Sequence, residues 1–208
     1  MSKRSTSPEI AALFVEKDGV YFGLLAVDPW DENRDARNYE GPCPAVAHPP
    51  CARWCMLAPL VASMHGYAIG DDDGMFESAL ESVRRFGGVL EHPAYSYAWK
   101  AFDLPRPVRG YWRRALDDPG WVTEISQSAY GHPTRKRTWL YYVGPEPAEM
   151  RWDEPPVTET VSDFGPGNTR RRGEEWVPGV QYAEASRTPL EFRDALIELA
   201  RSAVAIGV

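Results

Sequence analysis

The chain reads as an α/β protein built on one mixed sheet that ends in an antiparallel strand pair, and three features of its 208 residues predict this. Short apolar runs at residues 44–47 and 88–90 each stop at a polar motif, His48-Pro49-Pro50-Cys51 and Glu91-His92-Pro93, as buried parallel strands do where they leave a sheet. Between them Met75, Phe76, Ala79, Leu80, Val83 and Phe86 recur at helical steps, which predicts an amphipathic helix over 73–86. Residues 121–127 and 137–143 then carry the β-branched and aromatic content of a hairpin-like strand pair.

Taken in order, two short strands are expected over 11–15 and 20–25, joined by a turn at Lys17-Asp18-Gly19. A short helix over 32–39 is broken by Gly41-Pro42, and a second helix is expected over 56–65. An aspartate caps the amphipathic helix and Gly87-Gly88 stops it, delivering the chain into the strand that carries Glu91. A small helix over 95–102 and a proline-broken linker over 104–109 precede the strand pair. Residues 144–182 are rich in proline, glycine and acid without periodicity, so they read as a long loop or insertion within a single 208-residue domain. At the end, Thr188-Pro189-Leu190-Glu191 has the composition of a capping box, predicting a helix over 190–205.

Composition bounds the function. With 43% hydrophobic and 25% charged residues the chain resembles ordinary globular proteins, and no apolar run approaches the roughly eighteen residues of a membrane span. The polar, basic start lacks a signal core, and three cysteines do not make a disulfide scaffold, so a reducing cytoplasmic setting is expected. A net charge of −7 opposes indiscriminate coating of nucleic acid. Cations are nonetheless grouped, at Arg106, Arg109, Arg113 and Arg114, at 135–137 and at 170–172, and they border a groove if the sheet edge faces a polyanion.

The chemistry concentrates in three motifs. Cys51 follows one strand and Glu91 follows the next, so a thiol and a carboxyl group face one pocket at the carboxyl edge of the sheet, where open α/β folds bind ligands. The third motif, Gln127-Ser-Ala-Tyr130-Gly-His132-Pro-Thr-Arg135-Lys136-Arg137, leads into the last long strand and supplies cations. Thiol, acid and cation together suit covalent attack by sulfur with acid assistance.

In order and rough spacing these motifs resemble those of the DNA cytosine C5-methyltransferases. That family pairs a Pro-Cys loop with a Glu-Asn-Val triplet and an Arg-x-Arg motif after a Tyr-Gly-x-Pro-like turn. The resemblance implies a single Rossmann-like methyltransferase-type α/β core with a reduced cofactor-binding half, and a base flipped out of its stack. It implies that Cys51 adds to C6 of a pyrimidine, that Glu91 partners ring N3, and that the cluster of Arg135, Lys136 and Arg137 contacts O2 or a phosphate. His48, Pro50, Trp54, His92, Gln127, Tyr130 and His132 line the substrate pocket on the same reading. Arg53, His48 or Arg135 is expected to lower the pKa of the Cys51 thiol. S-adenosylmethionine is the implied methyl donor, with Asp28 and Glu32, together with the neighbouring Asp31, as weak candidates to hold its ribose. Residues 13–23 lack the closely spaced glycines of the family's cofactor loop, and His92 stands where the family has asparagine. The partner implied is DNA or a pyrimidine nucleotide, and the trimmed form resembles small phage-encoded proteins, which work in the cytoplasm of a bacterial host.

Two other readings stay open. A catalytically inactive DNA-binding or inhibitor protein would keep the base pocket without the cofactor. A zinc-stabilised interaction protein would use Cys43, His48, Cys51 and Cys55, although their spacing is not the paired knuckle of a strong zinc motif.

Overall fold

The computed structural model describes residues 9–161, 179–180 and 186–203. Four strands, β1 (Ile10–Leu13), β2 (Val27–Trp30), β3 (Ala45–Ala47) and β4 (Gly88–Pro93), are followed by β5 (Arg113–Arg114), β6 (Trp121–Ser126) and β7 (Arg137–Val143). These seven form one mixed sheet in the order β2-β1-β3-β4-β7-β6-β5. The first four run parallel, whereas β7 is antiparallel to both β4 and β6, and β5 is antiparallel to β6. A separate parallel pair joins β8 (Thr160–Val161) to β9 (Gly179–Val180).

The parallel strands β1 and β3 are short and apolar because both of their faces are covered. Ile10–Leu13 and Ala45–Ala47 are buried at every position. On one face α2 (Met75–Phe86) lays Phe76, Ala79, Leu80 and Val83 against Ala11, Ala45, Ala47 and Leu90, whose small or slender side chains admit the helix closely. On the other face α4 (Leu190–Ser202) packs Phe192, Leu196 and Leu199 against Ile10, Val46, Val89 and Leu140. Two further helices, α1 (Ala58–His65) and α3 (Tyr97–Ala101), lie after the Cys51 loop and after β4.

Several expectations are corrected. Residues 20–25 form no strand: β1 pairs in parallel with Val27–Trp30, and the intervening Tyr21, Val20, Phe22 and Leu24 seal the face under α4. The helix expected over 32–39 is a single 3₁₀ turn at Ala36–Asn38. The acid serving α2 is Asp72, whose carboxylate accepts from the backbone N–H groups of Gly74 and Phe76. No side-chain bond caps α4, so the Thr188 capping box does not form. The edge strand β5 was not anticipated, while part of the 144–182 segment and the arginines at 170–172 lie outside the described residues.

Candidate functional site

Topology brings the three motifs to one edge. Since β7 is antiparallel to both neighbours, β6 runs with β4, and the carboxyl ends of β3, β4 and β6 meet the amino end of β7 there. His48 and Cys51 leave β3, Glu91 and His92 sit near the end of β4, Gln127 follows β6, and Lys136 precedes β7. Strand alternation then sorts them by face. Glu91 is in register with Leu140, beside Thr138, on the α4 face, whereas His92 is in register with Trp139 on the α2 face.

Glu91 is the hub of the α4 side. One carboxylate oxygen pairs with His48 Nδ1 at 3.0 Å. The other accepts from Gln127 Nε2 and Thr138 Oγ1, each at 3.2 Å, and the amide also donates to Thr138 Oγ1 at 2.8 Å. Tyr21 closes the chain, its hydroxyl 2.8 Å from His48 Nε2. Burial alone would raise the Glu91 pKa, but the hydrogen bond and charge of His48, with the charges of Lys136 and His92, hold it at about 2. This carboxyl group is therefore ionised although only 9% exposed.

Cys51 lies beside this hub. Burial pushes its thiol up to about 11, Cys55 and Glu91 push the same way, and Lys136 opposes them. The expected depression by neighbouring cations is thus reversed, because desolvation and a nearby carboxylate outweigh the ammonium group. Lys136 is itself driven below the usual lysine range by burial, which the charges of Glu91 and Cys51 partly offset. Its ammonium group donates to the carbonyls of Ser186 at 2.7 Å and Arg187 at 3.2 Å, at the entry to α4. Thiol, carboxylate and ammonium group consequently share one electrostatic neighbourhood.

The other expected residues are placed differently. Trp54 is buried in the α2-side core, donates to Asp72 Oδ2 at 2.7 Å and packs on Phe76 and Phe102, which leaves it no open face for stacking. His92 is fully buried between Phe76 and Trp99, and burial draws its pKa down to about 4, against the opposing pull of Glu91 and the Pro50 carbonyl. Pro50 itself is exposed on the Cys51 loop. Tyr130 packs on Phe192 beneath α4, and its hydroxyl accepts from the Arg151 N–H. His132 Nδ1 accepts from the Thr134 N–H at 3.0 Å, fixing the turn before β7. Arg137 points to the α2 face, toward Glu124, Glu154 and Tyr95. Arg135 is half-buried at the turn into β7, and the cation that bears on both Cys51 and Glu91 is Lys136.

Two site residues were missed, Tyr21 and Thr138. Thr138 was within reach of the sequence, since strand alternation puts the second residue of β7 on the face of Glu91 once the antiparallel pairing is drawn. Tyr21 carried no such signal.

Within β2, Asp28 accepts from Trp30 Nε1 at 2.9 Å and pairs with Arg34 at 2.5 Å, and just after the strand Asp31 accepts from Asn33 while Glu32 is exposed. Tyr21, 3% exposed, is packed over the end of β3 through its bond to His48. Cys43, Cys51 and Cys55 are not joined in disulfides, and among the described residues no three histidine, cysteine or acidic side chains are grouped to hold a metal ion. No described helix is long and apolar enough to cross a membrane. No protein-family model matches the chain, and no curated protein matches it.

Proposed function

We propose that the chain is a pyrimidine C5-modifying enzyme, acting on DNA or a nucleotide through a covalent bond between Cys51 and ring C6. Its core is then a trimmed, Rossmann-like relative of the cytosine C5-methyltransferases. The observation that carries this reading is the shared neighbourhood of the Cys51 thiol, the ionised Glu91 carboxylate and the Lys136 ammonium group, at the sheet edge where three strands end.

At rest the thiol keeps its proton and the carboxylate carries none. In the addition the thiol gives up its proton as sulfur attacks, ring N3 takes one up, and the Glu91 carboxylate accepts a hydrogen bond from the resulting N3–H and steadies its charge. The S–C6 bond forms, the C5=C6 pair moves to make C5 nucleophilic, and Lys136 offers a cation to O2. His48 and Gln127 hold the carboxylate in place throughout.

S-adenosylmethionine fits this chain poorly. The residues after β1 lack closely spaced glycines, Tyr21 packs over the end of β3, and Asp28 is engaged by Arg34 and Trp30. No step of the proposal runs through that cofactor, and a proton is the simplest electrophile for C5.

The second reading, an inactive nucleic-acid-binding relative, draws on the raised thiol pKa and on the fact that both Glu91 oxygens are already bonded within the protein. An oligonucleotide carrying 2-pyrimidinone in place of cytosine separates the two, because its C6 accepts a thiol without further activation. The wild-type protein is expected to form a denaturation-resistant complex of the summed mass, absent from Cys51→Ser and at least tenfold slower in Glu91→Gln, in line with general acid–base contributions of about a hundredfold or more. Binding without any adduct supports the inactive reading instead.

A further inference from the structure

An ionised carboxylate offers about four acceptor positions, two on each oxygen, and those of Glu91 are unequally filled. Oε1 takes two donors, Gln127 Nε2 and Thr138 Oγ1, each at 3.2 Å. Their directions are fixed by the network itself. Thr138 gives its single hydroxyl proton to Glu91, so it receives from Gln127, whose amide nitrogen faces both groups and whose carbonyl oxygen turns away, buried and without a partner. Oε2 takes one donor, His48 Nδ1 at 3.0 Å. Among the described residues, one acceptor position on Oε2 is left, on a side chain that is 11% exposed.

His48 can serve as that donor only with a proton on Nδ1, and which nitrogen of a neutral imidazole carries the proton is set by the bond the other makes. The other, Nε2, lies 2.8 Å from the Tyr21 hydroxyl. A phenol donates to a bare ring nitrogen and accepts from a protonated one. In either charge state of the ring, Nδ1 therefore keeps its proton and points it at Glu91. Burial raises the Tyr21 pKa well above the usual range, so the hydroxyl keeps its own proton. The phenol is held in turn, because the carbonyl of the adjacent Val20 accepts from Arg193 Nη1 of α4 at 2.9 Å. The charged groups bearing on the phenol are Glu91, Arg193 and Asp194, and those bearing on the carboxylate are His48, Lys136 and His92.

We infer that Tyr21 and His48 are positioning residues for Glu91: the phenol fixes the imidazole with its Nδ1 proton on the carboxylate, and that bond leaves the second acceptor position of Oε2 to receive the N–H of a ligand. In the proposed reaction that N–H is ring N3–H of the adduct, and this identification alone rests on the pyrimidine reading. The carboxylate is thus set from the β1–β2 connection and α4, outside the motifs that carry the thiol and the cation.

The test is made on the free protein by NMR, with the Glu91 carboxyl signal assigned by its loss in Glu91→Gln and the His48 ring nitrogens by their loss in His48→Phe. The wild-type protein is expected to show neutral His48 with its proton on Nδ1 near pH 8. Its Glu91 signal should not titrate between pH 7 and about 3.5, since the carboxyl pKa lies at about 2. Tyr21→Phe should let the other tautomer appear at His48. His48→Phe should bring the Glu91 titration up by about two on the pH scale, the effect of a lost charge and hydrogen-bond partner. His48→Asn, whose amide N–H takes the place of Nδ1–H, should recover most of that change, and adding Tyr21→Phe to it should alter the titration no further. Adduct formation on the pyrimidinone probe should fall at least about tenfold in His48→Phe and recover in part in His48→Asn. A purely structural role would lower the melting temperatures while tautomer and titration stay as in wild type, and that result overturns the inference, as does a wild-type His48 protonated on Nε2 alone. The two ideas fail separately. The expected tautomer and titrations without any Cys51 adduct remove the covalent reading alone, whereas adduct formation at the wild-type rate in His48→Phe, with the Glu91 titration unmoved, removes the positioning role alone.

Discussion

Cys51 and Glu91 divide one proton between them in a way that either residue by itself would not reveal. Held at about 11, the thiol stays protonated at neutral pH, and held at about 2, the carboxylate stays charged. A folded-state pKa above the unfolded value means that this thiol's contribution favours the native state below about pH 9 and fades as pH climbs through about 11. It also means that Cys51 is slow toward electrophiles. At pH 9 its alkylation by iodoacetamide, followed by peptide mass spectrometry, should be at least about tenfold slower in the native protein than in denaturant. Glu91→Gln, removing a neighbouring negative charge, should speed it, and Lys136→Met should slow it further. Native alkylation as fast as in denaturant, or both variants shifting the rate the same way, would show that the three groups do not form one electrostatic unit.

At this scale the sequence was partly legible. His48, Cys51, Glu91, Gln127 and Lys136 could be named because each abuts a strand end, and local pattern marks strand ends. Trp54, Tyr130 and His132 could not be told from core residues, since an aromatic beside a motif looks the same whether it faces a ligand or a neighbouring helix. The direction of the Cys51 shift was also hidden: it depends on burial, which a list of nearby cations does not contain.

Among the elements, the junction of β3 and β4 fixes how the Cys51 loop lies relative to Glu91. Ala45 is in register with Gly88, whose φ of 114° and lack of a side chain let the strands meet. A Cβ there would sit 2.0 Å from the Ala45 carbonyl oxygen, a contact with backbone that no rotamer relieves. Gly88→Ala should therefore destabilise the protein by about 3–5 kcal/mol, toward the extreme for single substitutions, read as a fall in urea midpoint. A midpoint equal to wild type would mean that β3 and β4 are not paired in this register. The elements that sequence identified well, α2, β6 and β7, have long regular patterns. Within the first fifty residues the stretch 20–25 was misread because Val20, Tyr21, Phe22 and Leu24 have strand composition while their work is to seal a sheet face, and composition cannot separate pairing from sealing.

For the whole molecule, a net charge of −7 shapes how a polyanion can be received. Two of the cations near the site edge are already paired, Arg109 with Glu154 at 3.0 Å and Arg137 near both Glu124 and Glu154. Non-specific attraction to phosphates is correspondingly damped. The mixed sheet joins these parts by ending β3, β4 and β6 at one edge.

The most direct measurement is hydrogen exchange at C5 of cytosine in a DNA strand, incubated with the protein in deuterium oxide without any added cofactor and read by mass spectrometry of the recovered nucleoside. Reversible addition of Cys51 to C6 makes C5 basic, so the account predicts deuterium at C5 with the wild-type protein and none above background with Cys51→Ser. A C5 hydrogen that stays in place, or exchanges equally with both proteins, would contradict it.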